Sequence, residues 1–428
     1  MRAPTVAWLA CMAAGAWAAA TAQEPTLPAD DADVSVLRSA RDALVDAADF
    51  SAARDPAERV VEFEDEHAAG AAANDVLHLA RIQAELQEFD AAETNYLRAI
   101  AMLETEGGEY SPALIAPYQA LGRTYINSRR FGEAIAVLEQ AQHISQRNTG
   151  LFNVEQSELI DDMTVAQLGL GNTIEARSLQ LQRLDNAVRR FGADDPRVIP
   201  YHSHLGDYYD RSRLRASARE QYATVLEIQE AEFGGEDPRL LSTLRKLVQI
   251  DLLLGRGEEA KLRLAEFLER DTPAAPVERA LSLAVLGDWA IVQEDIALAR
   301  EYYQQAFLAL ARDDRAEAER FFAAPEMIDF VPPLSPVDRG TRSRPYTWGS
   351  IVLEFDLSAD GRASDVLTVE ADPPQIMDSA YNRRIRETHF RPRLVGGEPV
   401  PAADVRFTHY FRFYVREDEA LEGRGEDG

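Results

Sequence analysis

Oxygen-bearing side chains are spaced as at the start of a calcium-binding loop in Asp356-x-Ser358-x-Asp360-Gly361, in the last quarter of the chain. A complete loop of that kind needs a bidentate glutamate at its twelfth position, where this sequence has Leu367. Asp-Gly between two apolar alternating segments is also typical of a hairpin turn. The motif therefore predicts a turn between two strands rather than a calcium site.

Other combinations of residues that could do chemistry are weak. His202 and His204 are two positions apart on a predicted helix, so they point to different faces and do not predict a shared metal. The sequence has no His-Glu-x-x-His, no Gly-x-Ser-x-Gly, no P-loop and no dinucleotide fingerprint. We therefore predict no catalytic residues, no metal and no cofactor. A hydrolase with a dispersed site is the enzymatic alternative.

Charge narrows the class of partner. The 428 residues include 45 Lys and Arg against 73 Asp and Glu, a net charge of −28. Such acidity argues against binding to nucleic acid or to an anionic membrane surface, both of which attract basic faces. Residues 24–324 carry 31 basic and 54 acidic side chains, whereas residues 325–428 carry 13 and 19. We therefore expect protein or peptide partners, with basic ones favoured by residues 24–324.

The N-terminus has the pattern of a secretory signal peptide. Arg2 precedes an apolar segment from Val6 to Ala20, and Ala20-Thr21-Ala22 is a typical cleavage site. Since a membrane span needs about 20 apolar residues, this segment is short for an anchor. We predict that residues 1–22 are removed, leaving no membrane span. Cys11, the single cysteine, lies in the middle of the apolar segment. An uncleaved membrane anchor is the alternative.

A period of 42 residues runs through the middle of the chain. Small residues following a polar turn recur at this interval, at Ala92, Ala134, Ala176, Ala218 and Ala260, with Ala299 39 positions later. Mostly small residues stand twelve positions before each, and mostly large ones four positions after. We interpret this as pairs of antiparallel helices whose backbones approach at the small residues, beside a large side chain that fills the remaining space.

Predicted helix starts share the period. Residues of favoured N-cap types stand 42 apart at Ser111, Asn153, Asp195 and Asp237, and a proline follows three of them. Residues 23–70 are expected to form a helical cap of two helices, with Pro56 opening the second.

The pattern Leu205-Gly206-x-x-Tyr209, followed by Ala218 and Tyr222, resembles a tetratricopeptide repeat. Its period resembles the longer variant of kinesin light chains. The resemblance covers residues 71–312, about six repeats, and departs most in the third, where Gln180 and Arg183 replace apolar residues.

The tetratricopeptide resemblance implies a superhelix whose concave groove binds peptides or proteins. The groove positions would include Gln119, Arg123, Asn127, Asp207, Arg211, Arg245 and Gln249. The alternative for each is a solvated helix face.

The pattern changes near the C-terminus. Five prolines between residues 325 and 345 predict a linker over residues 313–344. Alternation from Ile351 to Leu357 then predicts a strand, followed by a second strand to Glu370, a helix over residues 376–388 and a last strand over residues 405–415. Residues 417–428 are an acidic tail.

These C-terminal residues resemble the TonB C-terminal domain over 345–416. Gly349 to Phe355 is similar to its first strand, Asp378-x-Ala380 to its helix and Phe390-x-Pro392 to the exit from that helix. The resemblance implies that the last strand pairs with a peptide of an outer-membrane transporter. The outward side chains that would set specificity are Arg406, Thr408, Tyr410 and Arg412. A small packing domain with a covered edge is the alternative.

A dense basic cluster precedes the last strand and consists of Arg383, Arg384, Arg386, Arg391 and Arg393. It could hold an acidic peptide, a glycan or the acidic surface of the repeats. The alternative is that these cations merely favour the C-terminal end of a helix.

Together these features predict a mainly α fold, a tetratricopeptide superhelix followed by a small α+β domain. We expect a periplasmic adaptor that is not an enzyme and is associated with TonB-dependent outer-membrane transport. The alternative is an inner-membrane-anchored energy transducer of the TonB family with an uncleaved N-terminal helix. Neither the partners' identities nor the oligomeric state follows from the sequence.

Overall fold

The structure is a computed structural model that describes residues 34–67, 72–256, 258–270, 275–337 and 346–414. The predicted signal peptide and acidic tail, and part of the predicted linker, lie outside these residues. The chain divides into two compact units, residues 1–148 and residues 149–428.

The first unit consists of helix pairs. Its helices are α1 (Val34–Asp46), α2 (Phe50–Glu66), α3 (Ala73–Glu85), α4 (Phe89–Gly107), α5 (Ile115–Asn127) and α6 (Phe131–Thr149). Helix α2 begins six residues before Pro56, so the prediction that this proline opens the helix is wrong. Asp49 caps α2 instead, because its side chain accepts a hydrogen bond from the Ala52 amide.

The second unit begins with further helix pairs. They are α7 (Ser157–Gly169) with α8 (Thr173–Phe191), α9 (Ile199–Arg211) with α10 (Arg215–Phe233), α11 (Leu241–Leu253) with α12 (Glu258–Glu269), and α13 (Pro276–Val292) with α14 (Ile296–Ala311). A short helix, α15 (Arg315–Phe321), follows. The predicted helical repeats are thus present in both units.

Glycines permit close helix packing within the repeats, as the 42-residue period predicts. A Cβ atom added to Gly206 would lie 2.6 Å from Cε1 of Tyr222, and one added to Gly122 would lie 2.6 Å from Leu138. In each case the large residue comes from the second helix of the same pair. The interpretation of small and large positions as complementary packing residues is therefore confirmed.

Gly206→Ala should lower the free energy of unfolding by about 1–3 kcal/mol, because the added methyl group overpacks the contact with Tyr222. Gly132→Ala in α6 is the matched control, since open space surrounds its Cβ position. Gly132 lies in the first turn of α6 and gains less helix propensity than Gly206, so the difference between the two variants in urea denaturation is a lower bound on the packing cost. Equal stability of the two variants would contradict this interpretation.

The four predicted caps act as N-caps. The side chains of Ser111, Asn153, Asp195 and Asp237 each accept a hydrogen bond from the backbone amide two residues later. Each caps a single 3₁₀ turn that leads into the α-helix. Hydrogen bonds from Arg197 lower the pKa of Asp195 to about 2, and Arg239 does the same for Asp237. The two aspartate caps therefore remain charged acceptors in neutral solution.

The C-terminal region contains a three-stranded antiparallel sheet. Its strands are β2 (Tyr346–Leu357), β3 (Ala363–Asp372) and β7 (Ala402–Tyr414), in the order β3-β2-β7. Helix α16 (Asp378–Glu387) packs on one face, where Tyr381 and Ile385 join the apolar side chains of β2 in a buried core. The predicted order of strand, strand, helix and strand is confirmed. The Asp360-Gly361 segment is the β2–β3 turn, closed by a hydrogen bond from the Gly361 amide to the Ser358 carbonyl.

Part of the predicted linker is folded. Besides α15, it contains β1 (Glu326–Met327), which pairs with β4 (Phe390–Arg391) next to a small hairpin of β5 (Arg393–Val395) and β6 (Glu398–Val400). Further along, Phe330 contacts Phe407 edge to face. Residues 326–330 therefore belong to the C-terminal fold, because a short extended segment can pair with a strand although prolines follow it.

Candidate protein-binding surfaces

Strand β7 lies at an edge of its sheet. Among the described residues its only sheet neighbour is β2. The four predicted specificity residues, Arg406, Thr408, Tyr410 and Arg412, lie opposite Glu354, Val352, Ser350 and Trp348, respectively. An ion pair of 2.8 Å joins Nε of Arg406 to the Glu354 carboxylate. The side of β7 that faces away from β2 is thus placed where an extended peptide could add a strand.

A cavity of about 240 Å³ lies beside the C-terminal half of β7. Its walls include Tyr410, Arg412 and the exposed Trp348, together with Pro332 to Ser335 and Arg213 from the α9–α10 turn. An aromatic residue at its mouth and mixed polar walls suit a peptide side chain. Two of the four predicted strand residues therefore line a concave surface.

His409 alternates with Thr408 and Tyr410 along β7, so its side chain lies on the other face of the strand, among aromatic rings, and it also lines this cavity. It contacts Phe330, Tyr381 and Phe407 at ring-centroid distances of 6.1, 5.2 and 5.8 Å. Burial, and secondarily the charge of Arg213, lowers the pKa of His409 to about 4. The imidazole is therefore neutral in neutral solution. The alternation of the last strand places His409 on the same face as Phe407 and Phe411.

In the first unit, the predicted groove residues Gln119, Arg123 and Asn127 recur every four positions along α5. Gln119 is half-buried, whereas Arg123 and Asn127 are exposed. Their spacing places them on one side of the helix.

In the second unit, three of the four predicted groove residues line one cavity, of about 220 Å³. Asp207 comes from α9, whereas Arg245 and Gln249 come from α11; β1 closes another side. Arg211 does not line this cavity. The structure thus brings together residues that the sequence analysis could place only on successive helices.

Sequence reasoning named Arg391 only as a member of the basic cluster and missed four other charged residues of this cavity: Asp210, Lys246, Asp288 and Glu326. A signal for Asp288 existed, because it stands eleven positions before Ala299, as Asp207 stands eleven before Ala218. No periodic signal pointed to Glu326 or Arg391, since both come from outside the repeats.

Ion pairs join the cavity walls. The ammonium group of Lys246 lies 2.5 Å from Oδ1 of Asp207, which also accepts a 2.6 Å hydrogen bond from the Tyr222 hydroxyl. Arg245 pairs with Glu278 at 2.8 Å. Both pairs connect the first helix of one repeat with the first helix of the next.

Arg391 connects the C-terminal domain to the repeats. Its guanidinium binds both carboxylate oxygens of Asp288, with Nε 2.8 Å from Oδ1, and donates to Glu326 at 2.6 Å. Burial alone would lower the pKa of Arg391, but the two carboxylates outweigh it and the pKa is raised. The basic cluster was predicted to hold an acidic peptide, a glycan or the acidic surface of the repeats. Arg391 makes the last of these contacts.

Further contacts extend this interface. The Leu394 amide donates to the Phe322 carbonyl at 2.9 Å, and Gly397 packs on Phe307. The last repeat and the C-terminal domain therefore share a folded interface rather than a loose connection.

Two other features bear on function. No group of His, Cys, Asp and Glu side chains within the described ranges is arranged to hold a metal ion. None of the described helices has both the length and the hydropathy needed to cross a bilayer.

Comparison with known proteins identifies the repeats. Residues 71–147 match the tetratricopeptide repeat family. The match does not include the C-terminal domain, so the TonB resemblance remains a prediction. No curated protein matches this chain.

Solved structures with similar folds include the nearly identical TPR-like repeats of a putative kinesin light chain from Podosopora anserina, at 20% identity and a TM-score of 0.38, covering 48% of this chain and 99% of that one. BtubC from P. vanneervenii is 21% identical, with a TM-score of 0.38, over 54% and 90% of the two chains. The apo form of RapI is 14% identical, with a TM-score of 0.40, over 63% and 73%.

Proposed function

We propose that this protein is an exported periplasmic adaptor that is not an enzyme. Tetratricopeptide repeats imply a scaffold for protein–protein interaction, and the repeat groove would hold one partner. Strand β7 would hold a second partner by strand addition, and an outer-membrane transporter of the TonB-dependent class fits the predicted location. The C-terminal domain, fixed to the last repeat by Arg391, would keep the two partners at a set distance.

The observation that carries this proposal is the position of β7. It is a 13-residue strand at the edge of a sheet, with exposed polar side chains at Arg406 and Thr408. Long edge strands tend to aggregate unless they are covered or paired. A partner strand would satisfy the open backbone groups, and the adjoining cavity would accept one of its side chains.

The proposal can be tested by cross-linking, because the chain from Gln23 onward has no cysteine. Thr408→Cys, coupled to a photoreactive probe and exposed to outer-membrane extract, should capture a discrete set of proteins. The matched control is Val369→Cys, an exposed position on β3 at the opposite edge of the sheet. Equal capture from both edges, or none from β7, would contradict strand addition.

Thr408→Pro should abolish that capture, because proline disturbs strand geometry and cannot donate a backbone hydrogen bond. A cross-linker at Arg412→Cys would report the loss in the proline variant. Circular dichroism should show nearly unchanged helical content, since the repeat helices, which make up most of it, lie outside this sheet. Thr408→Ala keeps the backbone amide and should retain capture. Loss of capture in Thr408→Ala would mean that binding depends on the threonine side chain rather than on the backbone.

Export is tested by N-terminal sequencing of the protein from the periplasmic fraction. A start at Gln23 is expected, because cleavage after Ala22 fits the small-residue rule. A start at Met1 in the membrane fraction would contradict the adaptor proposal and support the alternative, an anchored energy transducer.

A further inference from the structure

The cavity beside the C-terminal half of β7 borders the free edge of that strand. Tyr410 and Arg412 alternate along β7 with His409 and Phe411, so the two pairs lie on opposite faces, yet all four residues line the cavity. One edge of β7 is hydrogen-bonded to β2, and the other has no sheet neighbour among the described residues. A cavity that reaches both faces therefore lies at this other edge, where an added strand would run along it.

The charged side chains that line this cavity are all basic. Arg412 comes from β7 and Arg213 from the α9–α10 turn, and no aspartate or glutamate is among the lining residues, although the chain has 73 acidic and only 45 basic side chains. Elsewhere on β7, Glu354 neutralises Arg406 through an ion pair of 2.8 Å. The residue opposite Arg412 is the uncharged Trp348. Positive charge is thus concentrated at this end of the strand.

The charge of Arg213 acts inside the cavity. Burial first, and then the charge of Arg213, lower the pKa of His409, and no carboxylate of the described residues opposes this shift. Arg213 and Arg412 each have a contact within the chain. Because a guanidinium has five N–H donors, such a contact leaves donors for a second acceptor.

The other walls suit an acidic side chain of an extended peptide. The cavity of about 240 Å³ is bounded by the rings of Tyr410 and Trp348 and by Pro332 and Pro333. These groups can contact the methylene groups of a glutamate while its carboxylate accepts charged hydrogen bonds from the arginines. A basic side chain would be repelled at the same position.

We propose that the strand added to β7 carries an acidic side chain, which enters this cavity and pairs with Arg213 and Arg412. The inference rests on the proposed strand addition and adds the chemistry of the peptide. It makes Arg213, a residue of the repeats, a determinant of which peptide the C-terminal strand binds. The two folded parts would then select one partner segment together.

The test uses the chain from Gln23 onward and two extended peptides with blocked ends, acetyl-Thr-Val-Thr-Glu-Thr-Val-Thr-amide and the same peptide with glutamine at its centre. Binding at pH 7.5 is followed by the fluorescence of Trp348, since the only other tryptophan after residue 22 is Trp289, which is 5% exposed. The glutamate peptide should give a saturable change. The glutamine peptide should bind about tenfold more weakly, because it loses the charged hydrogen bonds.

Arg213→Met should reduce this preference to about threefold, and the double variant with Arg412→Met should abolish it, because each arginine supplies about half of the difference in free energy. Arg213 lies outside the sheet, so Arg213→Met keeps the hydrogen bonds of β7. The matched control is Arg129→Met. Arg129 occupies the corresponding turn two repeats earlier, is also exposed and has a φ of 63° against 60° for Arg213, but does not line this cavity.

Charge reversal gives a second test. The double variant Arg213→Glu with Arg412→Glu should prefer a peptide with a central lysine over the glutamate peptide. A glutamine peptide with a free C-terminal carboxylate shows whether the chain terminus can replace the side chain, and we expect it to bind like the blocked glutamine peptide.

Equal affinities of wild type for the two blocked peptides would overturn the inference, as would an unchanged preference in Arg213→Met or no fluorescence change with the glutamate peptide. Tight binding of the free carboxylate would overturn it too, since the cavity would then hold a chain terminus. Capture at Thr408→Cys is a separate measurement. Capture combined with equal peptide affinities would refute only the acidic side chain, whereas a glutamate preference without capture would refute only the adaptor.

Discussion

Arg391→Met should lower the free energy of unfolding of the second unit by about 3–5 kcal/mol, the cost of removing one partner of a buried ion pair. Arg391 is 7% exposed and Asp288 is 6% exposed. Without the guanidinium of Arg391, the Asp288 carboxylate would therefore remain in a site that water barely reaches. The Tyr303 hydroxyl would be the main donor left to it. Glu326 would lose its cation at little cost, because its side chain is 66% exposed.

Urea denaturation of the full chain measures this effect. Arg393→Met is the matched control: it makes the same change two residues away, at an exposed position whose Nε donates to the Pro401 carbonyl. Its cost should stay near about 0.5 kcal/mol, as at other surface positions. Replacing both partners, in Arg391→Met with Asp288→Asn, should recover much of the stability because no uncompensated charge is then buried. Equal losses of stability in Arg391→Met and Arg393→Met would mean that the ion pair does not fix the C-terminal domain.

The repeat architecture could be predicted because its determinants are local and periodic. Gly206 and Tyr222 are sixteen residues apart and meet within one helix pair, and the period shows the same pairing again at Gly287 and Tyr303. The Asp195 cap acts over two residues. Signals of this range can be recognised in the sequence without knowledge of the complete fold.

The interface could not be predicted, since its contacts are long-range and occur once. Arg391 and Asp288 are 103 residues apart, and the sequence indicated only a basic cluster that could bind a partner, contact the repeats or merely favour a helix C-terminus. Charge alone did not identify which of the five arginines enters the repeats. That choice depends on β4, whose pairing with β1 aims Arg391 toward α13.

The linker shows a related limit. Proline-rich segments indicate an absence of helix, yet they also occur as extended chain packed on a sheet. Phe330 packs on β7 two residues before Pro332 and so covers part of the sheet that a free linker would leave open. The predicted residues Tyr410 and Arg412 consequently share a cavity with Pro332, which no strand pattern could indicate.

Acid should destabilise the second unit through His409. Its pKa is about 4 in the fold against 6.5 for a solvated histidine, so between these values the unfolded chain binds the additional proton. The free energy of unfolding therefore falls as pH decreases from about 6.5 to about 4, by about 2 kcal/mol at pH 5. Above pH 7 both states are neutral at this residue and it contributes no pH dependence.

His409→Phe is expected to remove this component, because phenylalanine keeps a ring among Phe330, Tyr381 and Phe407 but cannot be protonated. Urea midpoints at pH 7.5, 6 and 5 for the variant and wild type provide the measurement, and the difference between the two proteins cancels the other titrating groups. Arg213→Met should give an intermediate slope, since Arg213 contributes less than burial to the lowered pKa of His409. Parallel pH profiles for wild type and His409→Phe would show that the imidazole is already hydrated in the fold, and β7 would then be open to water on this face as well as at its edge.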